Sequence, residues 1–473
     1  MNRSIFARLA GALGAALLLL VGAARAADKP NIVIVLADDM GWRDTGFSGN
    51  PIVKTPHLDR MAAAGLRFDY FYPGGQMCSP GRFAIMTGRS PCRTGLHHLG
   101  AMRPQEITVA EALKTAGYGT GHFGKWHLGE GATLPVRKGF DRSLWQINFF
   151  DLGAKLRVGE TQEYVELKGD TSVATMDLAL EFIRQQVAQS QPFFAYVCFG
   201  SPHSPHIAAD EFKALYKDLP EKQQNYWGEV SGVDAAVGRL RDALRKLKVA
   251  DNTLVWFTSD NGGITKDSMD PAGKGKGNVG VRTVGLLEWP ARVKQPVVSK
   301  TPCAHMDIYP TLLDLVGVQM PNQPPLDGVS LVPLLEGKMP ARPKPLGFML
   351  WNGGGNFAET DFVKGTQGVL IDGPYKLVVA PEIPFAPKKQ GEKKPAAAQP
   401  SERKDGPPPK QQGTAAKKPA EAPVRLFDIF ADPAETTNLA EKMPEVVGRM
   451  RAALDQWRQS VRDSFDGKDY AKK

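Results

Sequence analysis

Four apolar runs constrain this chain more than any other feature, because each breaks off into residues that bind ions or move protons. Asn31-Ile32-Val33-Ile34-Val35-Leu36-Ala37 is continuous, β-branched and followed at once by Asp38-Asp39. Tyr118 to Phe123 runs into Gly124-Lys125-Trp126-His127-Leu128-Gly129, and Pro192 to Phe199 into Ser201-Pro202-His203-Ser204-Pro205-His206. Thr253 to Thr258 is followed by Asp260-Asn261-Gly262-Gly263. Runs without polar alternation mark strands covered on both faces, which is the pattern of a parallel α/β sheet. In such sheets ligands bind beyond the carboxyl ends of the strands. Each terminal group alone could cap a loop. Together, two aspartates, a Lys/His pair, a histidine and an Asp-Asn pair point to one shared site.

The second organising stretch is Cys78-Ser79-Pro80-Gly81-Arg82, followed by Phe83-Ala84-Ile85-Met86-Thr87-Gly88-Arg89. Three readings compete for the cysteine: a buried structural thiol, a disulfide to Cys92, or a reactive centre. Pro80 suits the first turn of a helix and places Cys78 at its N-terminus. There the helix dipole and free N–H groups favour an anion, and Arg82 adds a positive charge.

At 473 residues the chain exceeds the size at which one core keeps growing, so two packed units are expected. Arg3 and Arg8, the apolar run Leu9 to Val21 and Ala24-Arg25-Ala26 read as an export signal over 1–26. The apolar run is too short for a bilayer span, so cleavage after Ala26 would leave an exported protein with no membrane anchor. The formal charge of +9 does not point to nucleic acid. Three of its cations lie in the leader, and 382–423 carries nine Lys/Arg against five acids, which leaves the folded body near +2. No finger, helix-turn-helix or stacking motif accompanies the charge. Four cysteines are too few for a disulfide scaffold.

Further elements are helices at 55–65, 106–117, 178–187 and 226–247, a helix at 307–316, and strand-like stretches at 368–379 and 424–430. The Pro/Lys-rich segment 382–423 is expected to be a disordered insertion. A closing amphipathic helix is expected over 443–465, with Val446, Val447, Met450, Leu454, Trp457 and Val461 on one face. The glycine-rich Ala272 to Gly277 carries two lysines but lacks the spacing of a nucleotide P-loop. Asp38, Asp39, Asp260 and Asn261 are hard oxygen donors, a set suited to calcium better than to magnesium's strict octahedron.

Cys78-x-Pro80-x-Arg82 with Thr87-Gly88-Arg89-x-Pro91-x-Arg93-Thr94-Gly95 resembles the signature of the sulfatase family. Leu36-Ala37-Asp38-Asp39-Met40-Gly41, Gly124 to Gly129, Pro202-His203-Ser204-Pro205 and Thr258 to Gly262 are similar to that family's other blocks. So is Leu426-Phe427-Asp428-Ile429 with Asp432 to Leu439. The resemblance implies an alkaline-phosphatase-like α/β sandwich with a central mixed, largely parallel sheet and a smaller C-terminal α+β subdomain. It divides the chain into a catalytic unit at 27–340 and a second unit at 341–473.

It further implies that Cys78 is oxidised to Cα-formylglycine by a formylglycine-generating enzyme. Asp38, Asp39, Asp260 and Asn261 would hold calcium together with the modified Cys78. Arg82 would position the aldehyde hydrate, Lys125 and Lys274 would bind sulfate oxygens, and His203 would protonate the leaving group. His127 would support the hydrate and act as the base that drives sulfate elimination. One geminal hydroxyl would attack sulfur, and the other would expel sulfate.

Two departures stand out. The family's Glu-Gly-Gly-x-Arg is replaced by Lys276-Gly277-Asn278-Val279-Gly280-Val281-Arg282, which leaves Lys274 and Lys276 as alternatives, with Ala-Gly-Lys-Gly favouring Lys274. Gly81 stands where serine is common. The expected activity is hydrolysis of aryl or carbohydrate sulfate monoesters. The rival readings are a phosphonate or phosphodiester hydrolase of the same superfamily and a catalytically silent binder of sulfated glycans.

Deleting residues 385–420 should leave activity and Tm nearly unchanged, as measured by turnover and thermal unfolding. A large loss in either would show that the segment is part of the fold.

Overall fold

The structure is a computed structural model that describes residues 29–150, 152–263, 274, 282–350, 366–381 and 423–470. The leader expected at 1–26, Lys276 and all of 382–423 except Pro423 lie outside the described residues.

The first strands in chain order are β1 (Asn31–Ala37), β2 (Leu66–Phe68), β3 (Phe71–Tyr72), β4 (Gly119–Lys125), β5 (Arg142–Gln146), β6 (Lys155–Val158), β7 (Tyr164–Glu166) and β8 (Phe193–Cys198). They are followed by β9 (Thr253–Ser259), β10 (Gly285–Glu288), β11 (Val297–Ser299), β12 (Cys303–Ala304), β13 (Leu346–Leu350), β14 (Gln367–Asp372), β15 (Tyr375–Val379) and β16 (Val424–Asp428). Ten of these form one sheet in the order β11-β2-β10-β9-β1-β8-β4-β5-β6-β7.

The middle of that sheet, β9-β1-β8-β4-β5, is parallel, and antiparallel pairings flank it at β10 and at β6–β7. Register brings the ligand-bearing ends into a row: Ala37 pairs with Ser259, Leu36 with Cys198, and Cys198 with Gly124. The four strands read from the sequence are therefore immediate neighbours, and their carboxyl ends share one edge.

Alternation along β1 divides the core. Ile32, Ile34 and Leu36 pack with Phe83 and Ile85 of the Cys78–Thr87 helix and with Ile308 and Leu312 of the Ile308–Val316 helix. Val33 and Val35 face the opposite layer, with Ile183 of the Thr171–Ala188 helix and Val230 and Val237 of the Glu221–Lys246 helix. Helices on both faces explain why these strands are apolar throughout. The result is an α/β sandwich with a mixed, largely parallel sheet.

The stretch 368–379, read as a single strand, is a hairpin. β14 and β15 pair antiparallel around Gly373, whose φ of 55° lets the chain reverse. With β13 and β16 they form a four-stranded antiparallel sheet. Leu370, Leu377 and Leu426 of that sheet pack on Met450 and Leu454 of the Pro444–Phe465 helix. Among the described residues no helix is long and apolar enough to cross a membrane.

The second half of the cysteine signature joins these two parts. Arg93 forms a bidentate pair with Asp327, at 2.6 Å to Oδ2 and 2.7 Å to Oδ1, and donates to Ser464 Oγ at 2.7 Å. Trp457 Nε1 donates to the same Asp327 Oδ1 at 2.7 Å. Arg89, fully buried, lies 3.1 Å from Glu106 and 2.7 Å from Asp469. Arg103 Nη2 donates to the Phe465 carbonyl at 2.9 Å and so satisfies an orphan acceptor at the helix C-terminus.

Removing one side of a buried, hydrogen-bonded ion pair leaves an uncompensated charge, which costs about 3–5 kcal/mol. Arg93→Ala and Asp327→Ala should each lower the unfolding free energy by roughly that amount in denaturant titrations. A loss below about 1 kcal/mol would show that the pair behaves like a solvated surface bridge.

Candidate active site

Cys78 is the first residue of its helix and is almost fully buried. Its Sγ lies 3.4 Å from Asp38 Oδ1 and 3.2 Å from Lys274 Nζ. The N-terminal position alone favours an anion, but the surroundings reverse that for the thiol. Burial, then Asp260 and Asp38, push the Cys78 thiol well above its ordinary range, with Lys125 opposing them. A free thiolate nucleophile is therefore disfavoured here. No disulfide forms either, since Cys78, Cys92, Cys198 and Cys303 are all free thiols.

Asp38 and Asp39 follow β1 directly, and Asp39 has a φ of 68°, in the left-handed region. Non-glycine residues there are strained and cluster at functional sites. Asp38 Oδ2 accepts from Lys125 Nζ at 2.5 Å. Burial would raise its carboxyl, but Lys125 and Arg82 hold it well below the usual carboxylate range. Asp39 Oδ1 accepts from Asn261 Nδ2 at 2.6 Å and from Lys274 Nζ at 2.7 Å.

Asp260, just past β9, takes a fork from Arg82 on a single oxygen, with Nε at 3.0 Å and Nη2 at 2.8 Å. Burial and the neighbouring Asp38 push the Asp260 carboxyl up to about 6, against the pull of Arg82. Arg82 is itself fully buried and also donates to the Lys125 carbonyl at 2.8 Å. A single guanidinium thus ties the cysteine helix to β4 and β9.

The departure at Gly81 has a geometric reason in this chain. A Cβ there would lie 1.9 Å from the Asp260 carbonyl oxygen, so helix and strand end meet backbone to backbone. Gly124 is equally constrained: its φ is 105° and a Cβ would lie 1.8 Å from the Cys198 carbonyl. That glycine immediately precedes Lys125, the last residue of β4, with His127 two residues further on.

His127 has a φ of 53°, and its buried Nδ1 has no hydrogen-bond partner among the described residues. Burial, reinforced by Lys125 and Arg82, lowers its pKa to about 3, so the ring is neutral near pH 7 and can accept a proton. His203 stands across the site. Its Nδ1 lies 2.7 Å from the Ser204 carbonyl, which only accepts, so Nδ1 carries a proton. Nε2 lies 3.5 Å from Asp39 Oδ2, and Phe150 packs on the ring with centroids 5.0 Å apart.

The structure thus gathers Asp38, Asp39, Cys78, Arg82, Lys125, His127, His203, Asp260, Asn261 and Lys274 at one edge. Lys276 falls outside the described residues. His206 turns away to Glu229, with Nδ1 at 3.2 Å from Oε2. Several supports were not singled out in the sequence. Asp44 Oδ2 accepts from Gly41 N at 2.8 Å and Tyr226 OH at 2.6 Å, which pins the loop after Asp39. Buried His305 bridges Gly74 N and Thr258 Oγ1 at 3.4 and 3.2 Å, between the approach to Cys78 and the end of β9. Their long-range partners, Tyr226 for Asp44 and Gly74 and Thr258 for His305, are distant in sequence, so nothing local marks either role.

The donor set fits a hard cation. Ligand atoms of Asp38, Asp39, Cys78 and His203 lie within 4.8 Å of one another, and Asp260 and Asn261 are hydrogen-bonded to the same cluster. Two buried oxygens, Asp39 Oδ2 and Asn261 Oδ1, accept no hydrogen bond among the described residues. Buried acceptors left unsatisfied are costly, and a cation would satisfy both.

Comparison with known proteins agrees with this geometry. The family model described as Sulfatase matches residues 30–318. Porcine (Sus scrofa) N-acetylgalactosamine-6-sulfatase is 35% identical over 367 residues, covering 68% of this chain and 69% of its own. Human (Homo sapiens) arylsulfatase A is 35% identical over 371 residues, covering 69% and 72%. The solved structure of Ps i-CgsB in complex with k-i-k-neocarrahexaose superposes with a TM-score of 0.76 at 25% identity, covering 92% of this chain and 93% of that one.

Calcium added to chelator-treated protein should raise Tm, since a ligand at 100 times its Kd stabilises by about 2.7 kcal/mol. Asn261→Ala and Asp39→Ala should remove most of that shift. Absence of any shift with calcium or magnesium would rule out a cation site here.

Proposed function

Because this chain belongs to the sulfatase family and is a sulfuric ester hydrolase, we propose that it cleaves sulfate monoesters of carbohydrates or aryl alcohols at Cys78, matured to Cα-formylglycine, beside a bound calcium ion. The observation that carries this reading is the seat of Cys78 Sγ, 3.4 Å from Asp38 Oδ1 and 3.2 Å from Lys274 Nζ in a buried cluster of oxygen donors. A thiol held protonated there is a poor nucleophile, which supports a modified side chain as the attacking group. When present, the aldehyde hydrate supplies the attacking oxygen, and the cation supplies positive charge at the sulfate oxygens.

The remaining roles fall to the chain's own residues. Asp38, Asp39, Asp260 and Asn261, with residue 78, would hold the cation. Lys125 and Lys274 present ammonium groups to the sulfate oxygens, and Arg82 keeps residue 78 and Asp260 in fixed relation. Their charge is pre-arranged in a buried site, where it acts more strongly than in water. His203, its Nε2 facing the cluster, can deliver a proton to the leaving oxygen. His127, neutral and without a partner at Nδ1, can take one from the nucleophile.

The same proposal takes 27–340 as the catalytic unit, 341–473 as the supporting unit and a formylglycine-generating enzyme as maturation partner. It also includes export after cleavage at Ala26. A carbohydrate sulfate is favoured as substrate, because porcine N-acetylgalactosamine-6-sulfatase and the structure bearing k-i-k-neocarrahexaose are both named for sugars.

The peptide carrying Cys78, from protein made with a formylglycine-generating enzyme, should show the sulfur-free aldehyde mass. Cys78→Ala should abolish sulfate release from an aryl sulfate. An unmodified thiol in an active protein would overturn the mechanism. Faster turnover of an aryl phosphonate or phosphodiester than of the sulfate would overturn the substrate class.

A further inference from the structure

We propose that Ser79 is a positioning residue that holds His127 in register with the nucleophile beside it. This inference rests on the reading of Cys78 and His127 given above. A serine at the start of a helix ordinarily spends its hydroxyl capping that helix. Here Met77 occupies the N-cap with no side-chain cap bond, and Ser79 turns its hydroxyl elsewhere. Ser79 Oγ donates to the His127 carbonyl at 2.7 Å and accepts from Gly100 N at 3.3 Å, with the side chain fully buried.

That carbonyl belongs to a residue which needs holding. His127 sits at a φ of 53°, and such backbone persists only where its surroundings over-determine it. Its neighbours are anchored on other segments: Trp126 Nε1 donates to the Thr133 carbonyl at 2.8 Å, and the Leu128 carbonyl accepts from Met102 N at 3.0 Å. Among the described residues, the side-chain hydrogen bond to the His127 carbonyl comes from the Ser79 hydroxyl, on the residue next to Cys78. It therefore couples the imidazole to the nucleophile's own helix. Gly100 N–H, bound to the same oxygen, draws the loop carrying His97, His98 and exposed Leu99 onto that helix.

A proton acceptor displaced by about 1 Å from its partner loses much of its effect, so the consequence should appear in turnover more than in substrate binding. Ser79→Ala and Ser79→Thr both keep the Cys-x-Pro-x-Arg pattern, and threonine keeps the hydroxyl. Four quantities are measured in each: aldehyde content by mass, Tm, kcat and KM on an aryl sulfate, and ring nitrogen NMR shifts of His127, assigned against His127→Gln. In Ser79→Ala, kcat per aldehyde should fall about tenfold with KM within about twofold, and the His127 resonances should move while those of His203 stay. Ser79→Thr should restore both. Parent-like kcat and unmoved His127 resonances in Ser79→Ala, with the parent active, would sink this inference alone. A parent that carries the aldehyde and releases no sulfate would overturn the functional reading and this inference with it.

Discussion

Everything at this site depends on keeping three carboxylates out of water at the ends of parallel strands. Asp38, Asp39 and Asp260 are fully buried. Isolated, each would be very costly to bury. Arg82, Lys125 and Lys274 balance them one for one, through contacts of 2.5 to 2.8 Å. The cluster is formally neutral as it stands, so a bound divalent cation would leave it at +2. That is the electrostatic setting an anionic sulfate ester requires. The same carboxylates, with burial, raise the Cys78 thiol, so the arrangement keeps sulfur chemistry quiet.

Close approach and strain are the means by which this balance is built. Gly81 and Gly124 let backbone meet backbone where any Cβ would collide with a carbonyl. Asp39 and His127 both occupy the left-handed region without being glycine. Their side chains leave the strand ends at angles that regular extended chain does not offer. Such conformations survive because rigid elements surround them, including strands β1, β4, β8 and β9 with no exposed residue.

The C-terminal part supports the site from behind. Arg89 and Arg93 sit just after the cysteine helix and read as part of the same signature, yet neither reaches the cluster. Their partners are Glu106, Asp469 and Asp327, with Trp457 and Ser464 completing the contact. The helix bearing Cys78 is thus fixed at its second turn by Arg82 and beyond its last turn by this second set of buried pairs. A signature that looks uniform in the sequence divides into a chemical half and a structural half.

Sequence by itself determined the four central strands and the residue types at their ends. A short, uninterrupted β-branched run reads as a strand buried on both faces, and polar residues directly after it read as lying at the strand's carboxyl end. It also named the family, because the spacing of Cys78, Pro80 and Arg82 is local. Tertiary structure alone decided the rest. It brought Lys274 to Asp39, turned His206 to Glu229, tied Arg93 to Asp327 and to Ser464 of the C-terminal helix and Arg89 to Asp469 just beyond it, and split 368–379 into a hairpin. It also reversed the expected tendency of Cys78 toward an anion. The reason is physical: periodicity reports which way a side chain faces, whereas a buried charge responds to every neighbour within a few ångströms. Those neighbours come from strands tens to hundreds of residues apart.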